Sequence, residues 1–163
     1  MLKAEPSNVE HYCFLAVGSR PRLRCQQAIV GRNHRDQVAV KHLKGLNIVN
    51  KTVLCIDDSP ELLFLYKRLF EDHGYNVILA SNGRDGLESI RRSPVDCVIL
   101  DYQMPQMDGA AVLRLMRHSK APPPVILVSG SKPPLELREQ VEAFIEKPTP
   151  MSELLQCVEA AIG

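Results

Sequence analysis

Five residues in this chain have side chains and settings suited to chemistry. They are Asp57 and Asp58 in IDDSP, Asp101 in VILDYQMPQMDG, Ser129 in VILVSG and Lys147 in FIEKP. Each ends or follows a short apolar run. Three carboxylates brought to one place repel one another unless a cation lies among them. A hard divalent ion such as Mg²⁺ prefers carboxylate, carbonyl, water and phosphate oxygens, and leaves positions open for a phosphoryl group. A lysine offers that group a point charge and a serine offers it a hydroxyl. The set suits phosphoryl chemistry if the fold gathers it at one edge.

The elements that would do so alternate from Thr52 onward. TVLCI (52–56), NVILA (76–80), VDCVIL (95–100), PVILVS (124–129) and VEAFI (141–145) are apolar and β-branched, which predicts buried strands. Between the first two, Leu62, Leu63, Tyr66, Leu69 and Phe70 recur at helical spacing. Ser59 and Pro60 stand ahead of them as cap and first-turn residue, and Gly74 stands behind as a stop. Further helices are predicted at about 83–92 and 109–118, and at 150–162 after Thr149-Pro150. The fourth crossover is different. Pro133-Pro134 keeps the preceding residues extended, which leaves about two helical turns before the last strand.

Such a rhythm predicts an α/β fold, a doubly wound, flavodoxin-like sheet of five parallel strands with helices on both faces. With strand order 2-1-3-4-5, the first and third strands are neighbours. Functional groups collect outside the carboxyl ends of strands where the order reverses, so Asp57, Asp58 and Asp101 would meet there. In VILDYQMPQMDG, Met104-Pro105 stops the strand from continuing and Asp108-Gly109 opens the next helix. The loop holds Asp101 out.

At 163 residues, 45% hydrophobic and 24% charged, the chain has room for one globular domain, expected at 51–163, and an extension at 1–50. Residues 1–51 carry nine Lys/Arg against three Asp/Glu, whereas 52–163 carry eleven against sixteen. The first fifty residues show no element rhythm and are expected to form a basic leader, disordered or partly ordered. Charge alone is weak support for nucleic-acid binding. Cysteines at 13, 25, 55, 97 and 157 form no CxxC pair, and the histidines at 11, 34, 42, 73 and 118 lack metal-ligand spacing. With no membrane-length apolar run and no secretory signal, a cytoplasmic protein that does not engage a membrane is expected.

IDDSP, LDYQMPQMDG, VSG and FIEKP, in this order and at strand ends, closely resemble the receiver domain of bacterial two-component response regulators. HGYNV and ASNGRDGLE between them are similar too, so the resemblance runs from about Thr52 to Ile162. It implies that Asp101 accepts a phosphoryl group from a sensor histidine kinase or a histidine phosphotransfer protein. Mg²⁺ would sit on Asp58, Asp101 and the backbone carbonyl of Gln103, with Asp57 acting directly or through water. Lys147 would pair with one phosphoryl oxygen and Ser129 would hydrogen-bond another. A shift of the Ser129 hydroxyl would let Phe144, the aromatic on the last strand, turn inward. Because the sequence stops after the last predicted helix, the resemblance implies a stand-alone, single-domain regulator. Its role would be regulatory rather than enzymatic, with output by contact with a downstream protein target or by onward phosphotransfer.

Two other readings of the same residues stay open. A Mg²⁺-dependent phosphohydrolase also uses an Asp nucleophile on such a sheet, although it usually carries an acid two residues later, where Gln103 stands. A pseudo-receiver would bind partners without phosphorylation. Each residue also has a structural reading: a helix N-terminal acid pair for Asp57-Asp58, a turn for Ser129, plain core for Phe144 and a surface lysine for Lys147.

Overall fold

The computed structural model describes residues 51–119 and 121–163, so the basic leader expected at 1–50 lies outside the described residues. The strands are β1 (Thr52–Ile56), β2 (Asn76–Ala80), β3 (Cys97–Asp101), β4 (Val125–Ser129) and β5 (Ala143–Glu146). The helices are α1 (Pro60–Asp72), α2 (Gly83–Arg92), α3 (Gly109–Met116), α4 (Leu135–Arg138) and α5 (Met151–Ile162). All strand pairs are parallel and the order is β2-β1-β3-β4-β5. Among the described residues, no helix is long and apolar enough to cross a membrane.

Side-chain alternation divides the core into two layers. Val53, Cys55, Cys97, Ile99, Ile126, Val128 and Ile145 face Tyr66 and Phe70 of α1 and Leu154 and Val158 of α5. Leu54, Ile56, Val98, Leu100, Val125 and Leu127 face α3 through Val112, Leu113 and Met116, with Leu87 of α2 and Leu137 of α4 at the margin. β1, β3 and β4 sit inside both layers, which explains their unbroken apolar runs. Cys55, Cys97 and Cys157 are buried in the first layer.

Helix signals in the sequence act mostly as expected. The Ser59 hydroxyl accepts from the Leu62 N–H at 3.3 Å, and the Asp108 carboxylate accepts from the Ala111 N–H at 2.8 Å. Gly74 takes φ +87°, a conformation glycine adopts without a side-chain clash, and ends α1. Thr149 is not a cap. Its hydroxyl donates backward to the Glu146 carbonyl at 2.8 Å, and α5 starts at Met151 without a side-chain cap bond.

Several boundaries differ from the sequence expectation, three of them for evident physical reasons. β3 begins at Cys97 rather than Val95, because the Asp96 carboxylate takes the Thr52 N–H at 2.8 Å and the Lys51 ammonium at 2.9 Å. β5 begins at Ala143 rather than Val141, since Val141 is buried in the second layer before the ladder with β4 starts. α4 is a single turn, shorter than the two turns expected, and Gln140 N–H already bonds the Leu137 carbonyl at 3.0 Å.

Burial works to raise the Asp96 carboxyl, but the bonds from Lys51 and Thr52 outweigh it and hold the group below its ordinary 3.8. A carboxyl lowered by folding contributes stability above its unfolded value, and that contribution is lost as pH falls through the folded value. Asp96→Ala should therefore cost about 1 kcal/mol at neutral pH, the pair being partly exposed. Denaturant melts should show the difference shrinking in acid.

Candidate functional site

The carboxyl edge of β1, β3, β4 and β5 gathers the predicted side chains, and strand alternation decides which way each is aimed. Asp57 follows Val53 and Cys55, Asp101 follows Cys97 and Ile99, and Lys147 follows Ile145, so all three continue the face covered by α1 and α5. The Lys147 Nζ lies 3.0 Å from Asp57 Oδ2 and 3.2 Å from Asp101 Oδ1. Asp57 is also tied by its other oxygen, which accepts from the Ser59 N–H at 2.8 Å. Asp57 and Asp101 are 1% and 4% exposed, so these charges meet in a largely water-free setting that strengthens their attraction.

Asp58, one residue beyond Asp57, is exposed. Together Asp57, Asp58 and Asp101 each offer a carboxylate oxygen within 4.8 Å of the others. An all-oxygen donor set of this size, partly open to solvent, fits Mg²⁺ better than a softer ion. Gln103, two residues after Asp101, is exposed at the same edge.

Electrostatics record the crowding. Burial pushes the Asp101 carboxyl above its ordinary range, Lys147 pulls it back, and Asp57 pushes it up again, with a net rise. Burial works to lower the Lys147 ammonium, but its bond to Asp57 and its attraction to both acids raise it. Tyr66 lies beneath the acids in the first layer. Burial, and after it the charge of Asp57, pushes its phenol well above the ordinary value. Lys147 also borders an apolar cleft of about 470 Å³ walled by Leu62, Tyr66, Val128 and Leu154.

Ser129 ends β4 and is fully buried, and its hydroxyl accepts from the Ser131 N–H at 3.1 Å. β4 pairs with β5 so that Leu127 stands opposite Phe144 and Ser129 opposite Glu146. Alternation then puts Ser129 and Phe144 on one face as diagonal neighbours, the face of the second layer. Phe144 is half-buried there, with the Arg138 guanidinium carbon 5.9 Å from its ring centroid.

Gly109 is a feature that spacing alone did not mark as part of the site. A Cβ at this position would lie 2.7 Å from the Asp101 carbonyl oxygen and 2.9 Å from Tyr102 Cα, both backbone atoms that cannot swing aside. The Gly109 N–H bonds the Tyr102 carbonyl at 2.9 Å. The missing side chain thus lets α3 start against the strand that carries Asp101. Gly109→Ala should displace Asp101 and lower stability by about 1–3 kcal/mol. Melting and metal titration of the variant check both effects.

Residues 53–159 match the family described as the response regulator receiver domain. The chain belongs to this receiver family. It is 31% identical over 117 residues to the response regulator GtcR of Aneurinibacillus migulanus, covering 70% of this chain and 48% of that protein. It is 32% identical over 115 residues to the sensor histidine kinase GacS of Pseudomonas protegens, covering 65% of this chain and 12% of the kinase. This receiver therefore spans less than half the length of those curated relatives. The signal receiver domain of a LuxO repressor protein from Vibrio parahaemolyticus superposes with a TM-score of 0.64 at 29% identity, covering 70% of this chain and 91% of that one. Receiver domains act in signalling through a phosphoaccepting aspartate, take the phosphoryl group from histidine kinases and bind Mg²⁺ at an acidic pocket.

Proposed function

We propose that Asp101 accepts a phosphoryl group from the phosphohistidine of a sensor histidine kinase or a histidine phosphotransfer protein. The phosphorylated chain then signals by contact with a downstream protein or passes the group onward. The observation that carries this reading is the Lys147 ammonium bound at once to Asp57 and Asp101, beside an acid triad that Asp58 completes. In the transfer an Asp101 carboxylate oxygen bonds to phosphorus, and the bond from phosphorus to the histidine nitrogen breaks. The nitrogen keeps the electron pair and an acyl phosphate forms. Lys147 exchanges a carboxylate partner for a phosphoryl oxygen, and the Ser129 hydroxyl turns from Ser131 to another.

Asp58, Asp101 and the Gln103 carbonyl would hold Mg²⁺, with Asp57 contributing directly or through water. Bound there, the ion supplies positive charge against the phosphoryl oxygens. Lys147 and Ser59 occupy both Asp57 oxygens. No hydrogen bond from a described residue engages the Asp58 carboxylate. Asp58→Ala should therefore weaken Mg²⁺ binding more than Asp57→Ala, as metal titration would reveal. Equal losses would refute the assignment of roles.

The donor would seat on α1, whose first turns, a few residues after Asp58, expose Phe64 at 62% and Leu65 at 47%. Incubation with Mg²⁺ and either acetyl phosphate or a phosphorylated kinase, followed by intact mass measurement, tests the reading. A gain of one phosphoryl group is expected. An unchanged mass with both donors would overturn it.

A further inference from the structure

We propose that Arg138 latches Phe144 in its unphosphorylated position, so that the phosphoryl group must break an arginine-to-ring contact before the aromatic can turn. The latch rests on the Asp101 and Ser129 reading above and adds a residue that resists the switch.

Arg138 Nε is buried and has no hydrogen-bond partner among the described residues. An unpaired N–H of a charged group inside a protein is unfavourable unless another contact compensates. Here the compensating contact is the Phe144 ring, within the roughly 6 Å reach of a cation over an aromatic face. The guanidinium stays on the ring although water is close to α4, where Leu135 and Glu139 are exposed.

The contact works in both directions. Arg138 lies over the ring and Leu137 packs in the same layer, so Phe144 is held half-buried on the face it shares with Ser129. If Phe144 turns toward Ser129, the guanidinium loses its compensation and its Nε must find water. α4 permits this release: it is four residues long, Pro134 precedes it without a side-chain cap bond, and none of its residues is fully buried. Arg138 is thus a positioning residue that biases the chain toward the unphosphorylated arrangement. Such a ring contact corresponds to a bias of about three- to tenfold.

The test uses the full chain with ¹⁵N-labelled arginine, the Arg138 Nε–H resonance being assigned by its loss in Arg138→Ala. Without phosphorylation that resonance should be ring-shifted and slow to exchange, and both properties should vanish after treatment with acetyl phosphate and Mg²⁺. Arg138→Ala should reach half-saturation with beryllofluoride at about three- to tenfold lower concentration than the parent chain. Arg138→Lys, which keeps the charge but not the planar group, should fall between them. A chain that gains a phosphoryl group while the Nε–H resonance stays unmoved overturns the latch alone, as does an identical beryllofluoride midpoint for all three proteins. A chain that gains no mass overturns the Asp101 reading and the latch with it.

Discussion

Asp101→Asn is expected to leave the chain folded and to abolish phosphoryl transfer. The amide keeps the shape and most of the contacts of the carboxylate but has no nucleophilic oxygen to form an acyl phosphate. Without metal the variant should also melt at a higher temperature than the parent. Burial leads the causes that raise the Asp101 carboxyl. A carboxyl raised by folding contributes stability while protonated, and that contribution is lost as pH climbs from the unfolded value through the folded one. At neutral pH the parent bears the full cost of an ionised Asp101, which the amide avoids. Mg²⁺ should stabilise the parent strongly and the variant weakly. Intact mass after acetyl phosphate treatment reads the first effect and thermal melts with and without Mg²⁺ read the second. A phosphoryl group found on the variant would sink the assignment of Asp101.

Lys147→Met should separate the two tasks of that lysine, and its effects should be opposite in sign for metal and phosphoryl group. Met keeps the apolar stem beside the cleft but removes the ammonium 3.0 Å from Asp57 and 3.2 Å from Asp101. Two carboxylates then remain buried without a cation, at a cost of about 3 kcal/mol in metal-free protein. Mg²⁺ should bind more tightly, because a positive charge beside its ligands is gone, and should recover most of the lost stability. Phosphorylation should nevertheless slow by about a hundredfold or more, since a positioned charge on the transferring group is missing. Denaturant melts, metal titration and the time course of mass gain test the three parts. Unchanged phosphorylation kinetics in Lys147→Met would reduce Lys147 to a structural counterion.

Much of this arrangement was legible in the sequence because it depends on local signals. Apolar runs ending at Ile56, Leu100 and Ser129 mark strands buried on both faces, and Ser59-Pro60, Asp108-Gly109 and Gly74 mark helix ends through backbone groups a few residues away. The expected strand order, which the sheet shows, already brought Asp57, Asp58 and Asp101 to one edge. Three things were decided only in the folded chain. Asp96 shortened β3 because its carboxylate bonds a backbone N–H 44 residues distant. Gly109 proved necessary through its approach to the Asp101 backbone, and Arg138 found the Phe144 ring across the join between α4 and β5. The ammonium of Lys147 lies 90 residues from the carboxylate of Asp57, yet the two are in contact. Spacing along a chain reports turns, faces and caps, because these are set by neighbouring backbone. Coulomb attraction and steric exclusion depend on distance through space, which only the packed sheet and its helices determine.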